Sequence, residues 1–334
     1  MKQTVLRLMH ESGAFTAFRL ANRHKALILT YHRFSEDGRD GSTSARTLAA
    51  QLEYLAAHYQ LVNLTTLIDH LESAYPLPAG LAAITIDDGY RDAYEVALPV
   101  LRRYDAPATL FAVTGFLDGR DWLWTDKVHY ALLRAKAVRF EGAVNHQPFH
   151  FDLRDRASRL TATERLKSHL KTVSEARKQS SIATIAELLD VELPRRAPQD
   201  YAPLTWEQAR ELEAAGVEVA SHTLTHPILT QVGDEQLERE MCESKSRLEA
   251  ELGHAVELFC YPNGDNDGRT RLAARRAGYR AAVTVDEGFN EKLCDLLALR
   301  RIHSEKDFTR FVQSTSGFEQ MKNRLRFALA KTAS

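Results

Sequence analysis

Short apolar runs alternate with helix-patterned stretches along most of this chain, and that alternation restricts the fold more than any other feature. Residues 25–32 (KALILTYH), 81–86 (LAAITI), 108–113, 217–220, 256–261, 279–285 and 296–302 read as buried strands, because each run is short and nearly continuous. Between them lie helical patterns. Residues 47–59 place Leu48, Leu52 and Leu55 on one side, 65–74 and 92–104 follow, and 269–277 close at Gly278. Thr205 and Gln208 have capping-box spacing before a helix that Gly216 ends, and 234–252 form a long charged helix closed by Gly253. Apolar strands separated by helices imply a parallel sheet covered on both faces. Six or seven such units favour a distorted (β/α) barrel, with an open doubly wound sheet as the alternative.

Residues 118–201 break the rhythm. They open with Trp122 and Trp124, continue with helical patterns at 126–137 and 161–189, and end among Pro194, Pro198 and Pro203. The expected organisation is an amphipathic helix at 1–25, a barrel from 26–117 and 202–316, a helical insertion at 118–201 in one barrel loop, and a basic tail at 317–334.

Composition excludes several classes. Lys and Arg number 44 against 45 Asp and Glu, which gives no electrostatic case for nucleic acid. Charge is uneven, however. Residues 1–33 carry Lys2, Arg7, Arg19, Arg23, Lys25 and Arg33 against Glu11 alone, and the tail carries Lys322, Arg324, Arg326 and Lys331. Such ends suit peripheral contact with an anionic membrane, or more simply an apolar face packed on the barrel. Cys242, Cys260 and Cys294 form no C-x-x-C pair, which points to a reducing compartment. With no export-type apolar core near the start, the expectation is a cytoplasmic protein, peripheral at the inner membrane surface through its basic ends.

Three clusters follow strand-like runs, where ligands bind in α/β folds. Thr85-Ile86-Asp87-Asp88-Gly89 sets two carboxylates side by side, and Gly89 permits a turn that aims both at one pocket. Such carboxylates repel unless a cation or a shared proton relieves them; the plainer reading is a helix cap. Ser221-His222-Thr223-Leu224-Thr225-His226-Pro227 sets two imidazoles at metal-ligand spacing, on a loop because Pro227 disfavours a helical His226. Phe259-Cys260-Tyr261-Pro262-Asn263-Gly264 alone is only a turn.

Taken together, in this order, the three resemble the motifs of the polysaccharide deacetylase family, the NodB-homology proteins or family 4 carbohydrate esterases. The resemblance spans roughly residues 26–117 and 202–310. It implies a distorted barrel holding one divalent metal ion, usually Zn2+, with Asp87 as catalytic base and Asp88, His222 and His226 as ligands. By the same resemblance His303 is the general acid, His32 in Tyr31-His32-Arg33-Phe34 lies near the site, and the turn at Tyr261 and Asn263 offers a backbone N–H to the oxyanion. Cys260 stands where many members carry an arginine that orients the base, and Arg91 and Arg301 are the candidates to replace it. Trp124, at the opening of the insertion, is a candidate to stack on a sugar.

The implied activity is metal-dependent hydrolysis of an N-acetyl group on an amino-sugar glycan, or on a lipid- or nucleotide-linked precursor. An O-acetyl esterase, a deformylase or a weakly catalytic glycan-binding protein of the same fold are the alternatives.

Overall fold

The computed structural model describes residues 2–322. Seven strands form a closed ring: β1 (Leu27–Tyr31), β2 (Leu81–Ile86), β3 (Ala108–Ala112), then, beyond the insertion, β6 (Val217–Ser221), β7 (Leu258–Cys260), β8 (Ala281–Glu287) and β9 (Leu299–His303). The intervening pair β4 (Arg139–Val144) and β5 (Gln147–Asp152) belongs to the insertion. Neighbours run β1-β9-β8-β7-β6-β3-β2 and back to β1, every pair parallel. Distortion concentrates on one side. Only Phe259 and Ser221 are in register between β7 and β6, and β8 slips against β9 between Val283 and Glu287.

Alternation along the strands divides the core in two. Leu27, Leu29, Ile84, Leu110 and Val219 face outward onto helices such as Ala45–His58, Leu98–Arg103 and Trp206–Ala214. Ile28, Ala83, Phe111, Ala220, Cys260, Val283 and Leu299 belong to the other set, which also receives Leu64, Leu67, Ile68 and Leu71 of the helix Leu64–Glu72. Both faces are therefore apolar, which is why the strands read as continuous runs.

The helix ends follow local chemistry. Ser44 and Asn63 accept the first free N–H groups of their helices, and Thr205 with Gln208 forms a full capping box. Gly253 closes Asp234–Leu252 at φ 79°. The helix expected at 92–104 is only partly regular: a π-turn at Ala93–Ala97 precedes Leu98–Arg103, because Pro99 has no N–H for a regular turn.

The insertion is not purely helical. Helices Trp124–Arg134, Arg156–Leu170 and Glu175–Leu188 enclose the antiparallel hairpin of β4 and β5. Asn145 and His146 turn that hairpin at φ 48° and 68°, the two-residue turn with both centres left-handed. Val128, Phe140, Val144, Phe149, Leu166 and Ile185 form a core separate from the barrel's. At the chain's start, helices Lys2–Glu11 and Ala14–Ala21 lie against the far end of the barrel domain, with Phe15 and Phe18 edge-on to Phe318. Most of the expected basic tail, residues 323–334, lies outside the described residues. No described helix is long and apolar enough to cross a membrane.

Candidate functional site

The site is the top layer of the barrel interior. Asp87 continues the inward row of Ala83 and Thr85, His222 that of Ala220, His32 that of Ile28 and Thr30, and Arg301 and His303 that of Leu299. Strand parity thus brings five polar side chains to one mouth, at the strands' C-terminal ends. Asp88 joins by a break in the alternation. It sits at φ 78° and Gly89 at φ 86°, so the backbone reverses and consecutive carboxylates share the pocket. A side chain at Gly89 would also meet Leu117 Cδ1 at 2.9 Å.

Asp87 is buried, and Arg301 grips it with both arms: Nη1 donates to Oδ1 and Nη2 to Oδ2, each at 2.7 Å. The guanidinium is itself fixed, since Nε donates to the Thr284 carbonyl (2.8 Å) and Nη1 also to Thr85 Oγ1 (3.0 Å). Burial alone would raise the Asp87 pKa; the Arg301 charge and its hydrogen bonds outweigh it and hold the carboxylate below its usual range. Cys260 fills the remaining corner, with Sγ 3.3 Å from Arg301 Nη2 and 3.6 Å from Asp87 Oδ2. Burial keeps this thiol protonated. The arginine that the third motif lacks is thus supplied from β9. Arg91 instead meets Glu95 and the Gln199 carbonyl.

The second cluster is Asp88, His222 and His226, whose ligand atoms lie within 4.8 Å of one another. Both imidazole Nε2 atoms stand 3.4 Å from Asp88 Oδ1. His222 Nδ1 lies 2.8 Å from the Cys260 carbonyl, which can only accept, so Nδ1 carries a proton and Nε2 is the nitrogen turned toward the cluster. Burial, then the nearby His222 charge, pulls His226 down to about 3, which leaves that imidazole neutral. Hydrogen bonding to His222 and the histidine charges overcome burial to keep Asp88 ionised. His222, by contrast, is held above its ordinary pKa: burial would lower it, but Cys260 and the neighbouring carboxylates outweigh burial. A cation there would take the place of its Nε2 proton; two imidazoles and one carboxylate, turned toward one point, would then match a divalent ion with N/O preference such as Zn2+. Asp87, His222 and Cys260 also lie close together. They suit an ion less well, because Arg301 already occupies Asp87 and the thiol keeps its proton.

A residue that the motifs do not announce braces this loop. Glu240, buried in the helix Asp234–Leu252, accepts from the N–H groups of Leu224 (2.9 Å) and Thr225 (2.8 Å) and from Thr225 Oγ1 (2.5 Å). It secures a segment in which Thr223 and His226 both sit at positive φ, 71° and 62°. In the sequence it is one acid among many in a charged helix, so only the fold distinguishes it.

His32 and His303 stand at the rim. His32 Nε2 is 3.6 Å from Asp87 Oδ2, and the two rings are 6.0 Å apart. Burial, then the charges of His32 and Arg301, lowers the pKa of His303.

Two sequence expectations need correction. The Tyr261 N–H donates to the Val283 carbonyl (3.2 Å), and its buried ring sends Oη to the Leu297 carbonyl (3.0 Å), so Tyr261 offers the site no donor. Asn263 sends its side chain to Asp265 (2.6 Å), which leaves the expectation for its backbone N–H as it stands. Trp124 is not a sugar platform: it is buried in the insertion core with Lys178 Nζ 4.9 Å from its ring centre. Trp122 lies nearer the barrel, packed with Tyr90, Phe116 and Tyr201.

Fold and site define an α/β barrel with a carboxylate–imidazole cluster at its C-terminal mouth. The chain belongs to the polysaccharide deacetylase family, whose sequence model matches residues 74–148 and 150–282. YxkH of Bacillus subtilis (strain 168), a protein named for the polysaccharide deacetylases, is 30% identical over 99 residues; these make up 30% of this chain and 36% of that protein. Similar solved structures include the Streptococcus pyogenes deacetylase PplD (20% identity, TM-score 0.59, covering 87% of this chain and 98% of that one). IcaB from Ammonifex degensii gives 18% and 0.58, covering 88% and 97%. A de-N-acetylase from Aggregatibacter actinomycetemcomitans gives 18% and 0.56, covering 85% and 96%. At these identities the likeness establishes the shared barrel.

Proposed function

We propose that this protein hydrolyses the N-acetyl group of an acetylated amino-sugar glycan, or of a lipid- or nucleotide-linked precursor, and releases acetate. The observation that carries the proposal is the Asp88–His222–His226 cluster, with Asp88 and His222 buried and His226 half-buried, one residue from a carboxylate that Arg301 holds ionised. In this reading Asp88, His222 and His226 hold one divalent ion, Zn2+. When bound there, such an ion lowers the pKa of water toward about 7 and polarises the acetyl carbonyl.

The chain's own residues supply the proton transfers. Asp87 accepts the proton of the attacking water. Arg301 fixes the carboxylate plane and leaves its outer lone pairs facing the mouth. As the tetrahedral intermediate collapses, the C–N bond breaks and the amine leaves with a proton from His303. His32, turned toward Asp87, positions the base. The named de-N-acetylase among the similar structures supports the amide over the ester as substrate.

Acetate release from N-acetylated and O-acetylated amino-sugar oligomers tests this reading. Release from the N-acetyl substrate, abolished by chelation and restored by Zn2+, is expected; release from the ester alone would replace the proposal with an O-acetyl esterase. His303→Ala should lose the alkaline limb of the pH–rate profile. Full activity with that limb intact would remove His303 from the role.

A further inference from the structure

At the opposite mouth of the barrel, the segments entering β1 and β2 and the end of the helix Ala45–His58 enclose a cleft of about 290 Å³. Arg19, Arg23, Lys25 and His58 line it, with Leu20 and Phe289 beside them, and no Asp or Glu is among the lining residues. Lys25 is paired with Glu291 at 2.8 Å. The two arginines are not so compensated. Arg19 Nη1 donates to Tyr54 Oη (3.1 Å), and Arg23 Nε donates to His24 Nε2 (3.0 Å). That imidazole nitrogen can accept because His24 Nδ1 faces the Leu77 carbonyl (3.1 Å) and carries the ring's proton. Neither guanidinium forms an ion pair with a carboxylate of the described residues. Unpaired arginines occur elsewhere on the surface of the described residues too; what sets Arg19 and Arg23 apart is that both line one concavity whose lining holds no carboxylate.

Two uncompensated guanidinium groups in one concavity concentrate positive potential, because the low-dielectric walls focus the field. His58 reports the same sign of field, its pKa lowered by burial and then by the Arg19 charge. The planar N–H fork of arginine matches tetrahedral oxyanions, and phosphate most of all. We infer that this cleft binds a phosphoryl group through Arg19 and Arg23, at the end of the barrel away from Asp87 and the histidines. Two sources share this chemistry. One is a soluble phosphate ester. The other is a lipid headgroup, for which the exposed Leu20 at the rim offers an apolar neighbour.

The full chain should be titrated calorimetrically with inorganic phosphate and with pyrophosphate at matched ionic strength. In parallel it should be sedimented with vesicles of phosphatidylcholine, with and without phosphatidylglycerol. Wild type should bind at least one anionic probe, and Arg19→Gln/Arg23→Gln should weaken that binding at least tenfold, with acetate release from soluble substrates unchanged. Arg23→Gln alone should retain part of the loss, and because Arg23 is exposed with no tertiary ion pair it guards against misfolding of the double variant. Binding of the soluble anions with no preference for phosphatidylglycerol would support the site and assign a free phosphate ester. Sedimentation with the anionic vesicles, lost in the variants, would support it and assign a headgroup. No binding by wild type to any probe, or equal binding by wild type and both variants, would overturn the inference.

Discussion

The barrel and the 118–201 insertion both bury charge, and they do so in opposite ways. In the barrel, Asp87, Asp88, Arg301 and His222 converge on one mouth, each aimed by a strand row or a strained turn. In the insertion, the fully buried Lys178 stays within its own helix and core, paired with Glu175 at 2.8 Å and lying over Trp124. Asp126, near the junction, accepts from Tyr90 Oη at 2.6 Å. Buried charges that meet around a shared point, with protons and lone pairs fixed, indicate chemistry; a buried charge that meets only its helix neighbour and a ring holds an element in place.

Substitutions can break or sharpen this contrast. The largest effect is expected at Arg301. Arg301→Met leaves Asp87 a buried, unpaired carboxylate, which should cost about 3–5 kcal/mol of stability and nearly all turnover; a variant as stable and active as wild type, by thermal unfolding and acetate release, would show that the pair is ornamental. Trp124→Ala should cost a comparable 3–5 kcal/mol by opening the insertion core, yet leave metal content and kcat per folded molecule intact. Loss of kcat in a well-folded Trp124→Ala protein would erase the distinction between the two regions.

At Glu240 the expected loss is in metal affinity. Glu240→Leu deprives three donors of their acceptor and frees the His222–His226 loop, so Zn2+ affinity should fall about 10–100-fold by competition titration. Glu240→Gln, which keeps an acceptor, should restore most of it; equal loss in both would mean that charge, not bracing, matters.

The smallest effect is at Asp126, whose pKa burial raises to about 6 despite the Arg33 charge. Its folded value lies above its unfolded one, so its contribution to stability is present below about pH 4 and lost as pH rises through about 6. Asp126→Asn should therefore gain about 1–3 kcal/mol relative to wild type at pH 8 and nothing at pH 4. A constant difference across that range in denaturant titrations would refute the assignment.

Much of the barrel was legible because strands buried on both faces leave an unmistakable apolar run, and helix ends at Thr205, Gly253 and Gly278 carry their own capping chemistry. Asp87, Asp88, His222 and His226 were legible as motif positions. Arg301 was only a candidate, because its role depends on β9 lying two strands from β2 in a closed ring, which local pattern does not encode. The β4–β5 hairpin was hidden: Asn145-His146 is a weaker turn signal than Asn-Gly, and surrounding charge resembles helix composition. Trp124 misled because an aromatic beside acids suits a sugar site and a core equally, and only packing separates the two.

The central claim is that adjacent carboxylates do different work: Asp88 holds the ion and Asp87 takes the proton. Elemental analysis of purified Asp87→Asn and Asp88→Asn, paired with acetate release, tests it directly. Asp87→Asn should keep one divalent ion per chain and lose turnover by about 10²–10⁴-fold, whereas Asp88→Asn should lose the ion itself. Equal metal content in the two variants, whether full or empty, would contradict the account.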